Sequence, residues 1–159
     1  METQTNPRRS SVAERPTALS EEVFRQTVIP RAALSLAACQ LAITKCTNAN
    51  AKEFAGFELT EATAVVKVLE DLGTPAPVVD AATLDLFKIT PEGSEFDKLF
   101  LQAEHDNHVF LQELAENYLQ NAAGKTSPAE SQTQHLATVA LAAFQEHVAM
   151  TRRILMEIA

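Results

Sequence analysis

Apolar residues recur along this chain at the 3.6-residue spacing of a helix over four long stretches, and no alternating run bounded by turn residues reads as a strand. The clearest stretch is Phe96 to Ala122, where Phe100, Glu104, His108, Leu111, Ala115 and Tyr118 fall in one line. Ser94 is the expected N-cap and Gly124 the stop. The last helix starts at Ser127-Pro128-Ala129-Glu130, which combines a capping serine, proline at the first helical position and glutamate at the third. Its line is Leu136, Ala140, Ala143, His147, Met150 or Thr151, Ile154 and Ile158.

Upstream, Ser20 before Glu21 and Glu22 predicts a helix running to about Thr47, with Pro30 kinking or dividing it. Asn50 to Glu53 has the form of a capping box and opens a helix that stops at Gly73, with Pro75 just beyond. Its apolar line is Phe54, Phe57, Glu61, Val65, Val68 and Leu72, with Glu58 on the border. A link from Thr74 to Glu95 follows, with a short helix expected over Asp80 to Lys88. Residues 1–19, with Asn6-Pro7 and Arg15-Pro16, read as an extended arm able to dock on a neighbouring subunit of a homo-oligomer. Residues 20–159 then form one all-α domain, an antiparallel four-helix bundle in which the long second link leaves room for a crossover.

Composition narrows the function. A length of 159 residues with 46% hydrophobic content suits a single core, and a formal net charge of −8 leaves no concentrated basic face for nucleic acid or an anionic membrane. The apolar run Ala32 to Ala42 is shorter than the roughly 20 residues that span a bilayer, so no transmembrane segment is expected. Leu36-Ala37-Ala38-Cys39 has the form of a lipoprotein cleavage box and Arg8-Arg9 faintly suggests a twin-arginine signal. Helical periodicity nonetheless continues past Cys39, and the long polar start favours a cytoplasmic chain. Cys39 and Cys46, seven residues apart along a helix, lie about 10 Å apart and cannot bridge while the helix is intact.

The candidate chemistry lies in the polar interruptions of apolar stripes. Glu61, Glu104, His108 and His147 come to roughly the same height when the helices are overlaid, with Glu58 and Glu146 at the margins. A di-iron bundle site uses Glu-x-x-His pairs, which this chain lacks: the residues three before its histidines are Gln102, His105, Gln132 and Phe144. The looser set suits a single iron, zinc or manganese ion, or a buried network in which imidazoles donate to carboxylates. His105 and His135 are expected at the surface. With no phosphate loop and no nucleophile elbow, no catalytic residue is assigned. Two readings follow: a non-enzymatic structural or interaction module with a buried Glu/His network, and a metal-dependent oxidoreductase or storage protein.

LAITKCTNANAKEFAGFELTEA, VLEDLGTPAP, FDKLFLQAEHDNHVFL and FQEHVAMTRRIL resemble successive helices of the bacterial ferritin-like family called domain of unknown function 4142 (DUF4142). Its markers are Phe54-Ala55, Phe96-Asp97 with His108 twelve residues after Phe96, and His147. The resemblance covers about Ala33 to Leu155 and implies a ferritin-like four-helix bundle without an established activity. The family commonly carries histidine near Glu61 and glutamate near Leu36, and many of its members look exported.

Overall fold

The computed structural model describes residues 14–159, whose regular structure is entirely helical: α1 (Glu21–Lys45), α2 (Ala49–Asp71), α3 (Ala81–Ile89), α4 (Ser94–Ala122) and α5 (Pro128–Ile158). Ser20 caps α1 by accepting from the Val23 N–H at 3.2 Å. Of the expected kink or division at Pro30, the helix shows no division and runs unbroken through the proline. Val28, Ile29 and Ala32 around the proline are all buried, so packing offsets the missing backbone bond, a loss of about 3 kcal/mol in an isolated helix.

Cys46, Thr47 and Asn48 turn the chain from α1 into α2. The cap of α2 is Asn48, two residues before the expected start, because its side chain reaches the Ala51 N–H at 2.9 Å while Asn50 bonds Glu157 on α5 instead. Gly93 rather than Ser94 caps α4, at a φ of 130° that favours glycine. Asp97, in the first turn of α4, reaches across to the α1–α2 turn. Its carboxylate accepts from the Thr47 N–H at 3.0 Å, the Thr47 hydroxyl at 2.9 Å and the Asn48 N–H at 2.9 Å.

The end of α2 lies beside the start of α1, where Arg25 donates to the Leu72 carbonyl at 3.3 Å and to Thr74 Oγ1 at 2.7 Å. The start of α4 lies beside the end of α1, through Asp97. The link from Leu72 to Gly93 therefore travels the length of the molecule, and α2 and α4 run in the same sense. Helix α3 lies within that link, capped by Asp80, and anchors it through buried Phe87. The short turn from Ala123 to Ser127 folds α5 back along α4, and Tyr118 on α4 donates to Glu130 on α5 at 2.9 Å.

The described part of the arm lies on its own chain. Buried Ala18 donates to Asn117 Oδ1 at 2.8 Å, and Lys125 donates to the Leu19 carbonyl at 3.2 Å. The rest of the arm, residues 1–13, falls outside the described residues.

Two apolar clusters fill the interior. One holds Phe24, Val28, Leu69, Leu114 and Tyr118, and the other Phe54, Phe87, Phe96, Phe100 and Leu101. The α4 line is buried as the sequence predicts, but the α2 face is turned by about one residue. Ala51, Phe54, Ala55, Glu58, Ala62 and Leu69 face inward, and Phe57 stands 52% exposed. Small alanines mark the true face because α2 packs closely on α1, and the larger Phe57 and Val68 misdirect a reading by hydrophobicity alone. Cys39 and Cys46 are buried and unpaired. Helix α1 is, by length and composition, apolar enough to cross a bilayer, which the count over Ala32 to Ala42 missed because it stopped at Arg31; in this fold its apolar side packs against α2 and α4.

Candidate metal centre

Between the two clusters lies a polar layer supplied by α1, α2, α4 and α5. Glu58, His108 and His147 come from three different helices, and each is at most 4% exposed. Their inward atoms form a triangle: Glu58 Oε2 to His147 Nδ1 is 2.8 Å, Glu58 Oε2 to His108 Nε2 is 3.3 Å, and His108 Nε2 to His147 Nδ1 is 3.1 Å. Ligands about 2.0–2.1 Å from one metal ion stand about 3 Å apart when they share one face of its coordination sphere. The two-histidine, one-carboxylate triangle matches that spacing and is the one group of three or more such side chains, among the described residues, that could hold a metal ion.

The outer atoms of these ligands are also held. His108 Nδ1 lies 2.7 Å from the Glu104 backbone carbonyl. A carbonyl only accepts, so Nδ1 carries a proton and, in the neutral ring, Nε2 presents its lone pair to the centre. His147 Nε2 lies 2.7 Å from Glu61 Oε2, the carboxylate–histidine arrangement that orients metal-bound imidazoles. That approach lacks the alignment of a hydrogen bond, which leaves Glu61 Oε2 buried and without a hydrogen-bond partner. On the third ligand, Glu58 Oε1 accepts from Ser35 Oγ at 2.7 Å.

Ser35 also stands 2.5 Å from Glu104 Oε2. One hydroxyl proton cannot serve two carboxylates, so one of the acids must be protonated. Burial pushes Glu104 up to about 7, against the opposing charge of His108. Burial also works to raise Glu58, but the hydrogen bonds and positive charge of His108 and His147 overcome it and pull that carboxyl down to about 2. The chain therefore runs from a protonated Glu104 to Ser35 and on to ionised Glu58. For His108 burial favours the neutral ring, yet Glu58 and then Glu104 push it up to about 9, so without a metal it is an imidazolium at neutral pH. Burial raises Glu61 as well, with the Glu58 charge adding to the rise and His147 opposing it.

Comparison of the chain with protein-family models, with curated proteins and with solved structures finds no match in any of the three.

Of the four residues singled out in the sequence, His108 and His147 supply two corners of the triangle. Glu61 and Glu104 stand one step behind it, against His147 and Ser35. The third corner is Glu58, which the sequence places at a margin because the α2 face is turned; its signal is the run of small residues Ala51, Ala55 and Ala62 on its side of the helix. Ser35 gives a weaker signal, as a lone hydroxyl within the apolar run Ala32 to Ala42. Glu146 is exposed. His105 is half-buried rather than at the surface: it meets Thr151 on α5 at 3.0 Å, since its position on α4 faces the seam between the two helices. His135 is exposed, as expected.

The two sides of the triangle differ. Phe54 sets its ring edge-to-face against both imidazoles, with centroids 5.2 Å from His147 and 6.3 Å from His108. On another side Glu58, Glu61 and His147 border a cavity of about 30 Å³, whose other walls include Ala32, Ala62, Ala140 and Ala143.

Proposed function

We propose that this chain binds one divalent transition-metal ion, iron, manganese or zinc, through Glu58, His108 and His147, inside a four-helix bundle of the ferritin-like kind. The observation that carries this reading is the convergence of three ligand atoms from three helices, 2.8 to 3.3 Å apart, each on a side chain held from behind. Ordinary packing does not call for a carboxylate and two imidazoles to share one buried point. Three protein ligands with a cavity alongside is the pattern of a reactive rather than a purely structural metal site. A bound ion would supply Lewis acidity or electron exchange at that open position. The order of α1, α2, α4 and α5, with α2 and α4 running in the same sense, supports the ferritin-like comparison and fits the DUF4142 resemblance.

The second reading is a metal-free structural or interaction module, favoured by separations that are also hydrogen-bond lengths. In that state His108 is charged, both imidazoles donate to Glu58 Oε2, and the cluster is a buried polar network. Elemental analysis of protein purified without chelator, followed by reconstitution with Fe²⁺, Mn²⁺ and Zn²⁺, separates the two. The metal reading expects about one equivalent in the native chain and none in a His108→Ala, His147→Ala double variant. Uptake below about a tenth of an equivalent with every ion would establish the network reading instead.

A further inference from the structure

We infer that the open face of this centre accepts only a small inorganic ligand of one to three heavy atoms, such as water, peroxide or azide, and that Glu61 stands at its entrance. The inference rests on the metal reading and names what that site would act on. Three observations carry it. The centre is covered on one side by the Phe54 ring and at Glu58 Oε1 by Ser35, and the cavity beside Glu58 and His147 gives an added ligand its approach. The cavity's free space of about 30 Å³ holds roughly one or two water-sized groups, which excludes an organic substrate. Finally, Glu61 Oε2 is a buried acceptor that meets His147 Nε2 at 2.7 Å without the alignment of a hydrogen bond, although its side chain is 43% exposed overall. A carboxylate oxygen has two lone pairs, so beside His147 it can still accept from a ligand bearing a proton, water or hydrogen peroxide. Glu61 thus spans the distance from solvent to the cavity and offers an acceptor to whatever enters.

The volume has an identifiable origin. Ala62 on α2 and Ala140 and Ala143 on α5 place methyl groups where larger apolar residues would meet. Ala143, half-buried, is the position at which added bulk disturbs the core least.

The test uses the full chain loaded with Co²⁺, whose visible bands report the coordination sphere. Azide should shift those bands in a saturable way, and imidazole, which is larger, should not. Ala143→Leu should keep the Co²⁺ stoichiometry and weaken azide at least tenfold, and Ala140→Val, checked for folding by circular dichroism, should do the same. If Co²⁺ binds but azide leaves the spectrum unchanged, or imidazole enters as readily, or both alanine variants bind azide like the parent, the inference is overturned and the metal reading stands. Absence of Co²⁺ uptake by the parent chain overturns both.

Discussion

The two sides of the polar layer are built on opposite plans. Towards the Asp97 end, aromatic rings fill the interior: Phe54 lies 6.0 Å from Phe100, which stacks with Phe96 at 6.3 Å, and Phe87 meets Phe96 at 6.4 Å. Towards the other end, four alanines together with Val65, Leu111 and Phe144 line the cavity beside Glu58 and His147. A single buried Phe side chain touches many neighbours, whereas four facing methyl groups leave their contacts unmade. The packed side holds both imidazoles through Phe54, and the other leaves space beside them while its wall residue Phe144 packs against His108, with centroids 5.8 Å apart. Carboxylates divide along the same line. Asp97 at the packed end accepts three hydrogen bonds from the α1–α2 turn, while Glu61 at the open end meets only His147, without hydrogen-bond alignment.

The largest expected effect lies on the packed side. Phe54→Ala should destabilise the protein by about 3–5 kcal/mol in chemical denaturation, because the ring is fully buried and its neighbours are rigid aromatics that cannot collapse into the space. A loss below about 1 kcal/mol would mean that the packed side is no better filled than the open one. Asp97→Ala comes next, at about 2–3 kcal/mol, since it strips three donors of their shared acceptor at a turn joining two helices. Equality of the Asp97→Ala loss with that of a Glu61 substitution would erase the distinction drawn between the two ends.

A smaller effect comes from pH, measured as the thermal midpoint of the metal-free protein. Glu58 falls from 4.5 to about 2 on folding, so its contribution is complete above pH 4.5 and is lost as the pH falls through about 2. His108 rises from 6.5 to about 9, so its contribution is complete below pH 6.5 and is lost as the pH rises through about 9. Glu104 rises from 4.5 to about 7; its contribution is complete below pH 4.5 and is lost as the pH rises through about 7. The midpoint should therefore be highest in mildly acid solution and decline steadily towards pH 9. Zn²⁺ must displace the His108 Nε2 proton, so its stabilising effect should grow over the same interval. A flat midpoint from pH 5 to 9 would mean that these groups are not coupled to folding.

How much of this was legible in the sequence depends on the helix. In α4, bulky apolar residues surround Glu104 and His108, so the stripe and its polar anomaly could be read directly. In α2 the inward face is mostly alanine, and Phe57 and Val68 on the outside carry the stronger hydrophobic signal, which exchanged Glu58 for Glu61. Caps moved for a related reason. Ser94 is a fitting N-cap by composition, but the neighbouring Gly93 can adopt a positive φ, and the chain enters the helix there. Ser35 was hidden because its role depends on two carboxylates 23 and 69 residues away, which no local pattern can report.

The smallest effect on stability, and the sharpest test of the comparison, is Glu61→Gln. Its side chain is 43% exposed and its contact with His147 lacks hydrogen-bond alignment, so unfolding free energy should change by less than about 0.5 kcal/mol. If Glu61 orients His147 from behind, metal affinity should nonetheless fall by about 10- to 100-fold, because the amide is a weaker partner for the ring than the carboxylate. Competition for Zn²⁺ with a chromophoric chelator measures that fall alongside a denaturation curve. A drop in affinity with stability unchanged would separate the open end from the packed end by function. If stability falls instead and affinity does not, Glu61 belongs with Asp97 as a structural carboxylate, and the open side is only a packing fault.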